Sequence, residues 1–398
     1  MQRSFVRFLI GVLGLIWLAA VSFAAQYESP PTFSASQVLP PDLLRSPDYR
    51  VGNQVGLQNF QYVFNVDSKW GPVVVQGSDL LKVRAREIVA TAKLEEISGG
   101  DTAVNSAART ALKPVETAKD FVTAPGQTVT DTFKGVGRIF GSANASMSAT
   151  DPHKESVLAS VTGGATARRK LAFELGVDPN TSFPPLADQL KRLATASAVG
   201  ETGVNVGLSF VAGPAGIAIS AGGTSNTVRE MLRDKTAADL EKEGRAKLAA
   251  MSVSAPTIEA FYLNPMLSPT DKAIIVEAMQ SLGAGRGQEV FIAGVANAQS
   301  IEMGFFYRRQ AELIASFNRK VAPVRGFTQF NAAPMLETGK GTVTILPVDY
   351  LIWTPPLESF IASAGGARGQ ILITGRASPT ATAKLAERGW TVVPKTKL

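Results

Sequence analysis

The 398-residue chain contains no cysteine and a single histidine, His153. Without cysteine there is no disulfide framework, no thiol nucleophile and no thiolate metal site. One histidine excludes the multi-histidine metal centres. A Ser-His-Asp triad would have to be built on His153, which lies in Asp151-Pro152-His153-Lys154. That is a helix-start loop, where a solvent-exposed imidazole is the simpler expectation, because a triad is defined by a geometry nothing here implies. Charge is also modest, at 18% of residues. No cluster of Lys and Arg interleaved with aromatics marks a nucleic-acid site. No residue set points to a cofactor or a metal.

Charge is missing altogether from Thr202 to Val228, which is instead rich in small residues. Gly203 and Gly207 stand four apart, as do Ala212 and Gly216, and Ala218 and Gly222. This spacing lets two helical backbones approach closely. The stretch is long enough to span a bilayer, which takes about 20 apolar residues. Yet it carries Asn205, Ser209, Ser220, Thr224, Ser225 and Asn226, and Gly213-Pro214 interrupts it. The favoured expectation is two short helices folded back at Gly213-Pro214 and buried in a helical core. A membrane-inserting hairpin and a single span are the alternatives, since an apolar run alone does not separate them.

The N-terminus reads as a secretory signal peptide over residues 1–24. Arg3 and Arg7 precede an apolar run from Phe8 to Phe23, and Ser22-Phe23-Ala24 offers small residues at a cleavage site. The other reading is an uncleaved anchor. Its removal takes away Arg3 and Arg7, so the formal charge falls from +7 to +5. That leaves a mildly basic chain with some affinity for anionic surfaces.

Residues 25–57, with Pro30-Pro31, Pro40-Pro41 and Pro47, read as a Pro-rich extended arm. Phe60, Tyr62, Phe64 and Val66 alternate, and three valines follow Pro72, which predicts a two-stranded unit. Ser78 reads as the N-cap of a helix running to about Ile97 and stopped by Gly99-Gly100. Pro114-Val-Glu-Thr117-Ala-Lys-Asp120 repeats eleven residues later as Pro125-Gly-Gln-Thr128-Val-Thr-Asp131. Each copy predicts the start of an amphipathic helix, packed on the core or lying on a membrane surface.

Residues 151–325 predict a helical core domain, with helices at about 155–175, 186–198, 229–251, 255–267, 270–282, 289–297 and 301–317. Asp178, Asn180, Thr181 and Ser182 gather oxygens in one loop, but not with the order of a calcium loop, so capping is expected there. Arg308-Arg309 is expected on a solvated helix face. Residues 326–398 predict a small α/β unit, with strands at 342–348, 350–353, 370–374 and 390–393 and helices at 356–364 and 378–388. Ligands in such units collect beyond the carboxyl ends of parallel strands. The candidate ligand-binding set is therefore Thr374, Gly375, Arg376 and Ser378, whose free amides, guanidinium and hydroxyl would hold an anion. The competing reading is a plain strand-to-helix turn capped by Ser378 with Pro379 behind it. Asp349 is the best acidic candidate for catalysis, while Glu277 and Glu302 look structural.

Several phrases together resemble a set of exported bacterial proteins of unassigned function: Leu80 to Ile97 with Glu95-Glu96, Leu175-Gly-Val-Asp-Pro179, Phe306-Tyr-Arg-Arg-Gln310, Gly375-Arg-Ala-Ser-Pro379 and Arg388-Gly-Trp390. The resemblance implies an exported location and brings no activity with it. The sequence thus predicts a mainly α-helical α+β protein, a helical core around a Gly-rich apolar hairpin (Gly203, Gly207, Gly213, Pro214, Gly216, Gly222) with a small C-terminal α/β unit. The expected role is a non-enzymatic periplasmic or cell-envelope protein that associates with a membrane surface or an envelope partner. An extracytoplasmic carboxylate-dependent hydrolase and a protein-binding scaffold are the alternatives.

Overall fold

The computed structural model describes residues 27–97, 164–199, 226–330 and 333–398. The leader at 1–24, the eleven-residue repeat, His153 and the glycines and proline from Gly203 to Gly222 lie outside the described residues. Within them the protein is a mainly helical α+β fold.

The first sheet is antiparallel and comprises β1 (Phe33–Ser34), β2 (Tyr49–Val51), β3 (Gln54–Gln58), β4 (Gln61–Ser68) and β5 (Gly71–Gln76). β4 is central and pairs with β2, β3 and β5. The alternation of Tyr62, Phe64 and Val66 buries one face of β4, as the period of two requires. Residues 33–57 are therefore not the extended arm the prolines suggested. Short helices α1 (Ala35–Val38) and α2 (Pro41–Leu44) join the strands, and Leu39, Leu43, Tyr49, Val51 and Val55 are buried. Pro40 and Pro41 sit at the N-cap and first turn of α2, where no helical N–H is needed.

Against this sheet lies α3 (Ser78–Ile97), with α4 (Gly164–Leu175) and α5 (Pro184–Val199) around it. Val177, Phe183, Leu186 and Leu190 share one core with Leu81, Ile88 and Leu94 of α3 and Phe64 and Val66 of β4. The expected boundary near residue 150 does not match this core, because α5 packs on α3 and residues of α4 and α5 share the core of the N-terminal sheet.

The second core is helical: α6 (Asn226–Asp234), α7 (Ala237–Ala250), α8 (Ala255–Leu263), α9 (Pro269–Gln280), α10 (Gln288–Ala296) and α11 (Ile301–Lys320). The single helix expected over 229–251 is split at Lys235-Thr236. Thr236 starts α7 with a capping box, its hydroxyl accepting from the Asp239 N–H and the Asp239 carboxylate receiving the Thr236 N–H.

The second sheet runs in the order β12 (Trp390–Val393), β10 (Gly369–Ile373), β8 (Gly341–Leu346), β7 (Ala333–Thr338) and β6 (Val324–Phe330). β8, β10 and β12 are parallel, linked through α12 (Pro355–Ser363) and α13 (Pro379–Glu387); β6 and β7 add antiparallel strands the sequence reading did not assign. Alternation decides which core each side chain enters. Val343, Ile345 and Leu372 face the helical core, while Ile371 and Ile373 meet Leu357, Phe360, Leu385 and Trp390 on the α12–α13 side. A two-stranded parallel ladder, β9 (Tyr350–Leu351) with β11 (Arg376–Ala377), stands beside this sheet. No helix among the described residues is long and apolar enough to cross a membrane.

Candidate functional site

The N-terminal sheet and the C-terminal unit meet at the turn between β3 and β4, and Phe33 of β1 packs on Tyr350 beside it. Asn59 and Phe60 connect β3 to β4 at φ 51° and 63°, a left-handed conformation that a bulky residue such as phenylalanine rarely takes. The turn leaves the Phe60 carbonyl free to accept the N–H groups of Asp349 (2.9 Å) and Tyr350 (3.0 Å). Gln61 Nε2 donates to the Pro347 carbonyl at 3.0 Å. Asp349 returns the contact: its Oδ2 accepts from the Tyr62 N–H (2.9 Å) and the Ser78 N–H (3.0 Å). Ser78, expected as an N-cap, is instead the first residue of α3, and the distant Asp349 carboxylate takes the capping place.

A cleft of about 240 Å³ opens at this junction. β4 supplies Gln61 and Tyr62, the start of α3 supplies Ser78, Asp79 and Lys82, and α11 supplies Phe305, Phe306 and Arg309. The C-terminal unit supplies Asp349, Thr374, Gly375, Arg376 and Lys395. Its two carboxyl groups are pushed in opposite directions. Burial raises Asp349, against the N–H groups of Tyr62 and Ser78, and the Asp79 charge adds to the rise. Burial also opposes ionisation of Asp79, but Arg309 and Lys82 hold it below the ordinary carboxylate range. Burial, reinforced by the Asp349 charge, pushes the Tyr62 hydroxyl up to about 12.

The structure corrects the expectation of free amides at Thr374–Ser378. The N–H groups of Thr374, Gly375, Arg376 and Ser378 donate to the carbonyls of Leu346, Val348, Asp349 and Leu351. The Thr374 hydroxyl donates to the Val348 carbonyl at 3.0 Å. Ser378 caps α13, accepting from the Ala381 N–H at 2.9 Å, and its hydroxyl donates to Glu28 Oε2 at 2.6 Å. That same Glu28 oxygen accepts the Trp353 N–H at 2.6 Å. Gly375 lies so close to the Asp349 backbone that a Cβ would collide with its carbonyl. Three of the four predicted residues thus line the cleft, Ser378 does not, and only Arg376 keeps a polar side chain exposed there. Glu277 is paired with Lys247, and Glu302 lies in the first turn of α11.

A buried chain of charges leads away from the cleft. Arg308 and Arg309, expected on a solvated face, are each 4% exposed. Arg309 Nε donates to Asp79 Oδ2 at 3.0 Å and its Nη1 bonds Glu312. Arg308 Nη1 donates to Asp271 Oδ1 at 3.2 Å. Asp271 also closes the capping box of α9 with Ser268. Beyond Arg308 stands Asp178, whose Oδ1 accepts from the Thr270 hydroxyl (2.6 Å) and the Asn180 N–H (2.7 Å). Burial outweighs these partners and Arg308, and raises Asp178 to about 6. The oxygen-rich loop is tied into the fold: Thr181 donates to Glu87, and Arg84 Nη2 donates to the Ser182 hydroxyl at 3.1 Å.

Lys82, Arg309 and Lys395 escaped the sequence reading of a site, as did Gln61 and Tyr62. Gln61, Tyr62, Lys82 and Arg309 come from segments far in sequence from Arg376, and Lys395 from the tail beyond α13; no local motif marks any of them. Compared with family models, curated proteins and solved structures, the chain matches none of them.

Proposed function

We propose that this is a non-enzymatic binding protein of the bacterial cell envelope, exported by its N-terminal leader, which holds a ligand or an envelope partner in the cleft between its N-terminal sheet and C-terminal unit. The observation that supports this reading is the employment of the cleft carboxylates. Asp349 receives two backbone N–H groups, and Asp79 is ion-paired to Lys82 at 2.8 Å and to Arg309 at 3.0 Å. Acids held this way organise the walls and are poorly placed to shuttle protons. Export and affinity for a membrane surface come from the leader and the mildly basic mature chain. Cell fractionation tests the reading, combined with sedimentation of the mature chain with anionic vesicles. Recovery in the envelope fraction and co-sedimentation are expected. A chain confined to the cytoplasm and indifferent to vesicles would contradict it.

One observation favours a second reading, a carboxylate-dependent hydrolase. Asp349 is raised and Asp79 lowered in one cleft, the arrangement that separates an acid from a base. Turnover of aryl ester, phosphate or glycoside substrates, lost in both Asp349→Asn and Asp79→Asn, would establish it; no turnover keeps the binding role.

A further inference from the structure

We propose that the cleft takes a small organic anion, a molecule bearing one carboxylate or phosphate on a short apolar body. This rests on the binding reading above and specifies its ligand. The cleft is lined by four cations, Lys82, Arg309, Arg376 and Lys395, and two acids, Asp79 and Asp349. Lys82 and Arg309 are consumed by Asp79. Arg376 and Lys395 are both exposed on this cleft, and neither makes an ion pair among the described residues.

Both cations are mounted on fixed backbone. Arg376 lies in β11, paired with Tyr350 of β9, and its N–H donates to the Asp349 carbonyl at 2.9 Å. The Lys395 N–H donates to the Gly375 carbonyl at 2.8 Å, and the next residue, Thr396, donates to the Ile373 carbonyl at 2.9 Å. The tail is thereby folded back beside Arg376, and both residues line the same cleft. Lys395 itself sits at φ 53°, a left-handed conformation lysine rarely adopts. Strain of this kind concentrates at functional positions.

The rest of the lining sets the body of the ligand. Val38, Phe305 and Phe306 give the cleft apolar walls, which reward an apolar group more than a second charge. A volume of about 240 Å³ falls under the roughly 300 Å³ where drug-sized pockets begin. A body of about one ring fits that scale. The carboxylate and phosphate forms share this chemistry, and the probes separate them.

The test is calorimetric titration of the full chain with phenylacetate and with phenyl phosphate. Benzyl alcohol serves as the uncharged counterpart, and acetate and inorganic phosphate as anions without a body. At least one aromatic anion should bind about tenfold or more tighter than benzyl alcohol and than both bodyless anions. The tighter of the two identifies the anionic group. Arg376→Ala and Lys395→Ala should each weaken it about fivefold or more while leaving the melting temperature unchanged. Equal binding of benzyl alcohol, no loss in either variant, or no binding of either aromatic anion would overturn the proposal. Fractionation reads the envelope role separately. Failed titrations of a protein found in the envelope remove the ligand class alone, and successful titrations of a cytoplasmic protein remove the location alone.

Discussion

Arg308 and Arg309 on α11 and Arg376 and Lys395 on the C-terminal unit are two pairs of cations in opposite situations. The first pair is buried, and each arginine meets carboxylates from other elements: Asp271 for Arg308, Asp79 for Arg309, with Glu312 beside both. The second pair is exposed on a cleft and makes no ion pair among the described residues. Buried charges are tolerated only when paired and hydrogen-bonded. Exposed cations carry no such demand and remain open to a ligand. The difference teaches which cations belong to the fold and which to function: removing one kind should unfold the protein, and removing the other should silence it.

The largest effect is expected at Arg309. Replacing it with methionine keeps the volume but leaves Asp79 and Glu312 without their shared partner. Breaking a buried pair from one side costs about 3–5 kcal/mol. Urea denaturation of Arg309→Met measures this, and a loss under about 1 kcal/mol would place Arg309 with the rim cations.

Asp178 sharpens the comparison through pH. Burial raises its folded value to about 6, above that of the unfolded chain. The native state therefore holds the proton more tightly. The stability this confers is fully present below about pH 4 and is lost as pH rises through about 6. By linkage the change amounts to at most roughly 3 kcal/mol. Asp178→Asn keeps an oxygen to accept from Thr270 and Asn180 but removes the titration, so its stability should vary less between pH 4 and 7. Asp349, also raised by burial, leaves a residual slope of the same sign. An unchanged profile in Asp178→Asn would show that Asp178 is ionised in the fold as it is in the unfolded chain.

A smaller effect is expected at Gly375, which separates the two rim cations. A methyl group there meets the Asp349 carbonyl. Gly375→Ala should cost about 1–3 kcal/mol, as overpacking does, read as a lowered melting temperature. A wild-type melt would mean that the 375 turn and the Asp349 loop move apart freely.

Much of the fold was legible because local physics repeats. The alternation from Tyr62 to Val66 marks β4, and Ser378-Pro379, read from the sequence as a cap, starts α13 with a capping hydroxyl. Arg308-Arg309 was misread because adjacent cations look the same whether solvated or buried. Their partners Asp271 and Asp79 lie 37 and 230 residues away. The amides at 374–378 were misread for the same reason: the carbonyls that take them belong to the 346–351 segment. Residues 33–57 were misread as part of an extended arm because β1 is two residues long and β2 three, too short for a period to show. In the cleft, Arg376 was legible at a strand end, whereas Lys395 is brought there by the tail folding back.

The most direct test of the division between the two pairs is the melting of Arg376→Glu/Lys395→Glu with and without the tighter aromatic anion. The expected result is a wild-type melting temperature in the absence of the anion and no rise on adding it, against a clear rise for the wild type. A double variant that melts several degrees lower by itself, or that is stabilised by the anion as the wild type is, would contradict the assignment of these cations to binding.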